Sequence, residues 1–305
     1  MDLSIIGQLA AILTSALWTL NSLLFTTAGK KIGAISVNAY RIIAAVVFLC
    51  ITHIIIFGNI IPYATYDQWL WIGASGIIGL GIGDFGLFAA FVMIGPRRSL
   101  LIMSLSPLFA AIFAYLILNE TLTELAIIGM IITIIGIILV IIEKEAKSDE
   151  EKISKKQKIW GICLALIGAI GQGTGAVFAK KGIYIDTNII LNPLSATLIR
   201  MVIAAIFIWA CVLIAGKLPE LQKAIKDKEG IKSTIAGAFL GPFIGVTFSM
   251  IAVTFTEVGV AQTLMSLMPV MIIPIIYIIY KQKTNIRGII GAFIAISGVA
   301  ILFLI

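Results

Sequence analysis

Asp84 is the residue of this chain best placed to do chemistry. It stands in Gly83-Asp84-Phe85, inside an apolar run from Trp69 to Ile94. An ionised carboxylate at the centre of a bilayer costs about 2.5 to 3.5 kcal/mol on insertion scales, so such a group faces protein or a wet cavity. It either binds a cationic group or a coupling proton, or it hydrogen-bonds neighbouring helices.

Arg41 and Arg200 lie about two turns into apolar runs of their own. A long side chain there reaches the headgroups by snorkelling, pairs with a buried acid, for which Asp84 and Glu257 are the candidates, or clamps a carboxylate. Trp18 and Asn21, three apart, share one helical face, and Gln172 and Thr174 occupy the corresponding region of the second half. These four either line a cavity for a zwitterionic or amphipathic solute or hydrogen-bond between helices. Pro107 and Pro269 each remove a backbone hydrogen bond, freeing the carbonyls of Met103 and Met265 and predicting kinks. Unpaired backbone at membrane depth is tolerated where it lines a cavity, and Ser104, Ser106 and Ser266 are polar groups that could share that lining. Gly79 with Gly83, and Gly241 with Gly245, form small-xxx-small pairs that let helix backbones approach closely.

The elements that must position these residues are membrane helices. Of 305 residues, 60% are hydrophobic and 12% charged, against roughly 25% charged in a soluble domain. Apolar stretches able to span roughly 30 Å of hydrocarbon run about 3–28, 34–57, 69–94, 100–118 and 125–142. A charged linker with six lysines and five acids follows at 143–158, and further spans run 159–181, 192–216, 233–255, 260–280 and 286–305. The pattern predicts an all-α membrane protein of ten transmembrane helices, with repeats at 1–142 and 159–305 around the linker.

The halves repeat one another. An offset of 162 residues brings Gly79 and Gly83 onto Gly241 and Gly245. It also brings Met103-Ser104-Leu105-Ser106-Pro107 onto Met265-Ser266-Leu267-Met268-Pro269, and Gly129 and Gly136 onto Gly291 and Gly298. Arg41 and Arg200 match at an offset of 159. An odd number of helices per copy turns the second upside down, which is the inverted-repeat design of many secondary transporters. Asp84 falls on Val246, so a symmetric scaffold would hold an asymmetric site.

Charge sets orientation and removes other classes. The net charge is +7, but the basic residues sit between apolar runs and form no aromatic-interleaved surface for nucleic acid. Of 22 Lys and Arg, 18 fall on one side of the predicted topology, with Lys180 and Lys181 alone on the other. The positive-inside rule then puts the linker in the cytoplasm and both termini outside. His53 is the only histidine, leaving no histidine cluster for a metal, and it reads as an interfacial residue. Cys50, Cys163 and Cys211 read as small core residues, and Glu120, Glu124 and Glu257 as solvated helix-end acids. No phosphate-binding glycine loop ending in Lys-Ser or Lys-Thr is present, and no cofactor is expected.

Ser99-Leu100-Leu101 with Leu105-Ser106-Pro107, then Leu118-Asn119-Glu120-Thr121-Leu122-Thr123, and then Gly129 with Gly136 together resemble the EamA-like ten-helix branch of the drug/metabolite transporter superfamily. Gln282-Lys283-Thr284 departs from that pattern in the second half. The resemblance implies a secondary transporter in the cell membrane rather than an enzyme, commonly an exporter of amino acids or other metabolites. It also implies a central cavity lined by the first, third, fourth, sixth, eighth and ninth helices. The partners expected are a small solute, a coupling proton or cation, and the lipid bilayer. A lipid flippase, or an enzyme acting on lipid-linked substrates, is the competing expectation.

Overall fold

The computed structural model describes residues 3–143, 154–185, 190–280 and 286–304. The described residues are helical and include no strand. In chain order come α1 (Leu3–Ile32), α2 (Ala34–Phe57), α3 (Tyr66–Ser75), the π-helical segment π1 (Gly76–Gly83), α4 (Asp84–Met103), α5 (Ser106–Leu118) and α6 (Glu124–Glu143). The second half has α7 (Lys155–Tyr184), α8 (Pro193–Ile214), α9 (Leu218–Ala224), α10 (Lys228–Ala238), π2 (Phe239–Gly245), α11 (Val246–Phe255), α12 (Val258–Met265), α13 (Met268–Tyr280) and α14 (Ile286–Leu302). Positions 144–153 of the predicted linker, and Gln282-Lys283-Thr284, lie outside the described residues.

Eight helical stretches are long and apolar enough to cross a bilayer, and two shorter apolar ones cover Val258–Ile273 and Ile286–Leu302. Their outward faces carry Ile55, Leu116, Ile206 and Phe293, each more than half exposed, a surface that only lipid covers at low cost. The chain is thus an integral, multi-pass membrane protein.

Several local expectations need correction. The helix opened by Asp84 runs through Gly95 and Pro96 to Met103, where the sequence predicts a connection. The predicted kinks at Pro107 and Pro269 are present as two-residue interruptions ahead of each proline. The helix stops at Met103, and the amide of Leu105 turns back to the carbonyl of Ile102 at 3.0 Å. In the second half the amide of Leu267 bonds Leu264 at 3.3 Å. Each proline is then the second residue of a new helix, where its missing N–H would have had no partner anyway. His53 is 1% exposed rather than interfacial; its ring nitrogens lie 2.7 Å from the Asn59 carbonyl and 3.0 Å from the Ser195 hydroxyl. Cys163 and Cys211 face outward rather than into the core.

The matched glycines lie at close approaches between helices, backbone on backbone for Gly79, Gly83, Gly136 and Gly291, and backbone on side chain for Gly241 and Gly245. Gly136 packs on Gly291 and Ala295, and Gly129 on Gly298, so α6 and α14 run antiparallel. Gly79 meets Gly175 and Gly83 meets Gly171, which sets π1 antiparallel to α7. Gly241 meets Asn21 and Gly245 meets Trp18, setting π2 antiparallel to α1. Each π segment thus lies against the first long helix of the other half. Glycine inside a helix costs roughly 0.5 to 1 kcal/mol relative to alanine, and the close approach it permits is what offsets that cost.

A methyl group tests the packing directly. A Cβ on Gly136 would lie 2.3 Å from the backbone nitrogen of Ala295, whereas one on Gly29 meets nothing within 4 Å. Gly136→Ala is expected to lose about 1 to 3 kcal/mol by overpacking and Gly29→Ala to gain about 0.5 to 1 kcal/mol. Thermal unfolding in detergent reads both; equal effects would contradict the packing.

Candidate functional site

The site begins where π1 hands over to α4. The run Gly76-Ile77-Ile78-Gly79-Leu80-Gly81-Ile82-Gly83 is rich enough in glycine for its backbone to press on α7, and it ends by presenting Asp84 there. Asp84 is 7% exposed. Its Oδ1 accepts a hydrogen bond from Nε2 of Gln172 on α7 at 2.7 Å, and its Oδ2 pairs with Nη2 of Arg41 on α2 at 2.5 Å. Both carboxylate oxygens are therefore engaged, one by each half of the chain.

Arg41 is held on several sides. Its Nε donates to Oδ1 of Asn38 at 2.8 Å, and its guanidinium lies 5.6 Å from the ring centre of Phe25 and 5.2 Å from that of Phe88, within cation–π range. Snorkelling is excluded for both arginines, which are 8% and 4% exposed for Arg41 and Arg200. Depth counted along a helix does not say which face a side chain takes, and here both turn inward. Arg200 lies against Gly79, its Nη1 is 3.8 Å from the Met250 sulfur, and its Nε is buried without a partner.

The other expected site residues divide between the two halves. Trp18 and Asn21 pack on Gly245 and Gly241 of π2. Gln172 joins Asp84 and also reaches the Gly79 carbonyl at 3.4 Å. The Thr174 hydroxyl is buried and unpartnered, as is that of Ser106, whose carbonyl abuts Gly173. Ser104 and Ser266 bond back to the carbonyls of Leu101 and Gln262 at 2.6 and 2.8 Å, so they terminate helices. Sequence reasoning misses Gln262, 7% exposed, whose Nε2 lies 3.5 Å from the Gln172 carbonyl. It is the amide of α12 that comes nearest the network.

A second polar cluster gathers around Glu120. Glu120 accepts from Lys180 at 2.5 Å and from the amide of Val258 at 2.9 Å, while Lys180 also donates to the Thr256 carbonyl at 2.7 Å. Tyr184 donates to the Thr254 carbonyl at 2.8 Å. These groups line an open pocket of about 400 Å³ with Ser4 and Glu257. Glu120, with a side chain 15% exposed, is a joint between the halves rather than a solvated acid. Lys31 and Glu229 form a further pair.

The buried ion pair and amides thus converge inside a multi-pass helical bundle. The sequence model of the EamA-like transporter family matches residues 5–142 and again 159–304, and the chain belongs to that family. It is 29% identical over 234 residues to the "Uncharacterized transporter YyaM" of Bacillus subtilis (strain 168), covering 73% of this chain and 70% of that one. An "Uncharacterized transporter" of Clostridium kluyveri is 23% identical over 75% of this chain and 70% of its own. A solved crystal structure at 15% identity matches with a TM-score of 0.76 over 98% of this chain and 96% of that one, a likeness of fold alone.

The ion pair has a measurable signature. Removing one partner of a buried pair leaves an uncompensated charge and costs about 3 to 5 kcal/mol. Asp84→Asn is therefore expected to lower thermal stability sharply, and the double variant Arg41→Gln/Asp84→Asn to recover part of the loss. Additive losses in the double variant would show that the two residues do not act as a pair.

Proposed function

We propose that the protein is a secondary transporter of a small amino-acid-like or amphipathic metabolite, working as an exporter in the cell membrane by alternating access. In this reading the two shorter apolar helices also cross, completing ten. The segments 1–142 and 159–305 are inverted five-helix repeats joined by the linker at 143–158. The observation that carries the proposal is the exchange of π segments, π1 on α7 and π2 on α1, by antiparallel glycine contacts at matched positions. Antiparallel packing of the matched helices α6 and α14 supports the same inversion.

Inverted repeats supply two conformations of similar energy, one open to each side. The paired glycines are smooth surfaces on which the halves slide, and the breaks before Pro107 and Pro269 are the hinges. The Glu120–Lys180–Val258 cluster joins the halves in the conformation described. Asp84 is the coupling group: protonation removes the charge that holds Arg41 and loosens the contact with Gln172 in the other half. In this reading the linker is cytoplasmic and both termini lie outside, an orientation that the charge bias supports.

Proteoliposomes with an imposed pH gradient test this reading across amino acids, nucleosides and cationic drugs. Gradient-driven accumulation is expected for at least one solute. In Arg41→Gln/Asp84→Asn, accumulation is expected to fail while downhill exchange persists. Proton-driven accumulation that survives in the double variant would remove the coupling role. Translocation of labelled phospholipid, with no solute moved, would favour a flippase instead.

A further inference from the structure

The buried charges do not balance. Inside the described membrane helices, the guanidiniums of Arg41 and Arg200 meet the single carboxylate of Asp84, and Arg41 takes it. The other oxygen of that carboxylate is held by Gln172. Arg200, on α8 and 4% exposed, is left with a thioether sulfur at 3.8 Å from Nη1 and a buried Nε that has no partner. Arginine cannot relieve this by losing its proton. Asp84 acts on Arg200 through space but pairs directly with Arg41, so two guanidiniums share one carboxylate, and a buried charge without an ion partner of its own is costly.

We propose that Arg200 binds the carboxylate of the transported solute, so that the carrier is selective for carboxylate-bearing metabolites. The inference rests on the carrier reading above and names its substrate class. Nη2 of Arg200 and Nε2 of Gln172 both arrive at Gly79, so the guanidinium stands at the contact between the two halves, beside an amide already committed to Asp84 and the Gly79 carbonyl. A planar guanidinium matches a carboxylate through two parallel hydrogen bonds, which a chloride ion or a hydroxyl cannot provide. Gly79 lets the guanidinium lie directly against the backbone of π1, because a Cβ there would come within 2.6 Å of Nη2.

The unpartnered hydroxyls of Ser106 and Thr174 are further polar groups of the same bundle interior. The carboxylate end of the solute is thus recognised by an excess positive charge, while the Arg41–Asp84 pair contributes no net charge. An anion arriving at Arg200 would neutralise the site and stabilise the halves in contact.

The test uses the purified full-length protein and matched probes: the standard L-amino acids, each against its own carboxamide, which keeps the side chain and the ammonium but lacks the carboxylate. Thermal unfolding in detergent should rise saturably with at least one acid and not with its amide. Arg200→Gln should weaken that acid's apparent affinity by roughly thirtyfold or more, as when one partner of a buried charge pair is truncated, and Arg200→Lys should fall between. Equal stabilisation by acid and amide, persistence of the effect in Arg200→Gln, or no response to any acid would overturn the proposal. If Arg200→Gln does not fold, the acid–amide comparison on the unmodified protein decides. Transport of amides or cationic solutes in preference to acids would overturn this proposal while leaving the carrier reading intact. Failure to move any solute would count against that reading instead.

Discussion

Water is absent from the centre of a bilayer, so each charge and each backbone polar group there must be answered by protein. The Arg41–Asp84 pair, with Gln172 on its free oxygen, is where this chain meets that demand. Much of the structure serves the contact. The glycines of π1 bring Asp84 against α7, Asn38 and two phenylalanine rings hold Arg41, and Gln172 is offered by the other half. A buried pair of this kind is weak evidence of stability. Its value here is positional: it fixes the Asp84 carboxylate where Gln172 of the other half can reach its second oxygen.

The second theme is close approach. The interior lacks the hydrophobic driving force that water would supply between helices, so packing contacts carry the association. Glycine pairs at Gly79/Gly175, Gly83/Gly171 and Gly136/Gly291 let backbones meet directly. The two π segments are packed differently: Gly79 and Gly83 of π1 meet Gly175 and Gly171, whereas Gly241 and Gly245 of π2 meet the side chains of Asn21 and Trp18. Asp84 stands 162 residues before Val246, so only the first π segment hands over to a carboxylate.

Glycine and proline positions are legible in the sequence because their reasons are local: a missing Cβ or a missing N–H constrains the backbone wherever it falls. The coincidences at Gly79 and Gly241, or Pro107 and Pro269, therefore carry through to the close helix approaches and helix interruptions. The π geometry of 76–83 and 239–245 is not legible, since it depends on the partner helix that presses on the glycines, although the density of glycine in 76–83 is a signal of its place. Arg41 and Asp84 are recognisable as candidates, but whether a side chain turns inward or toward headgroups depends on the tertiary contact. The same limit hides Glu120, which looks like a loop acid until Lys180 and the amide of Val258 are brought to it across more than fifty residues of chain. His53 is misread for the same reason, its Ser195 partner lying in the other half.

The central claim is that the polar core shared by the two halves opens alternately to each face of the membrane. Thr174, on α7 beside the glycines that meet π1, reports on it most directly when replaced by cysteine in a chain carrying Cys50→Ala, Cys163→Ala and Cys211→Ala. A membrane-impermeant thiol reagent is then applied from one face at a time. The account predicts labelling from both faces, with a pH gradient raising the rate from one as it lowers the rate from the other. Labelling from a single face under every condition, or rates that rise and fall together, would contradict it.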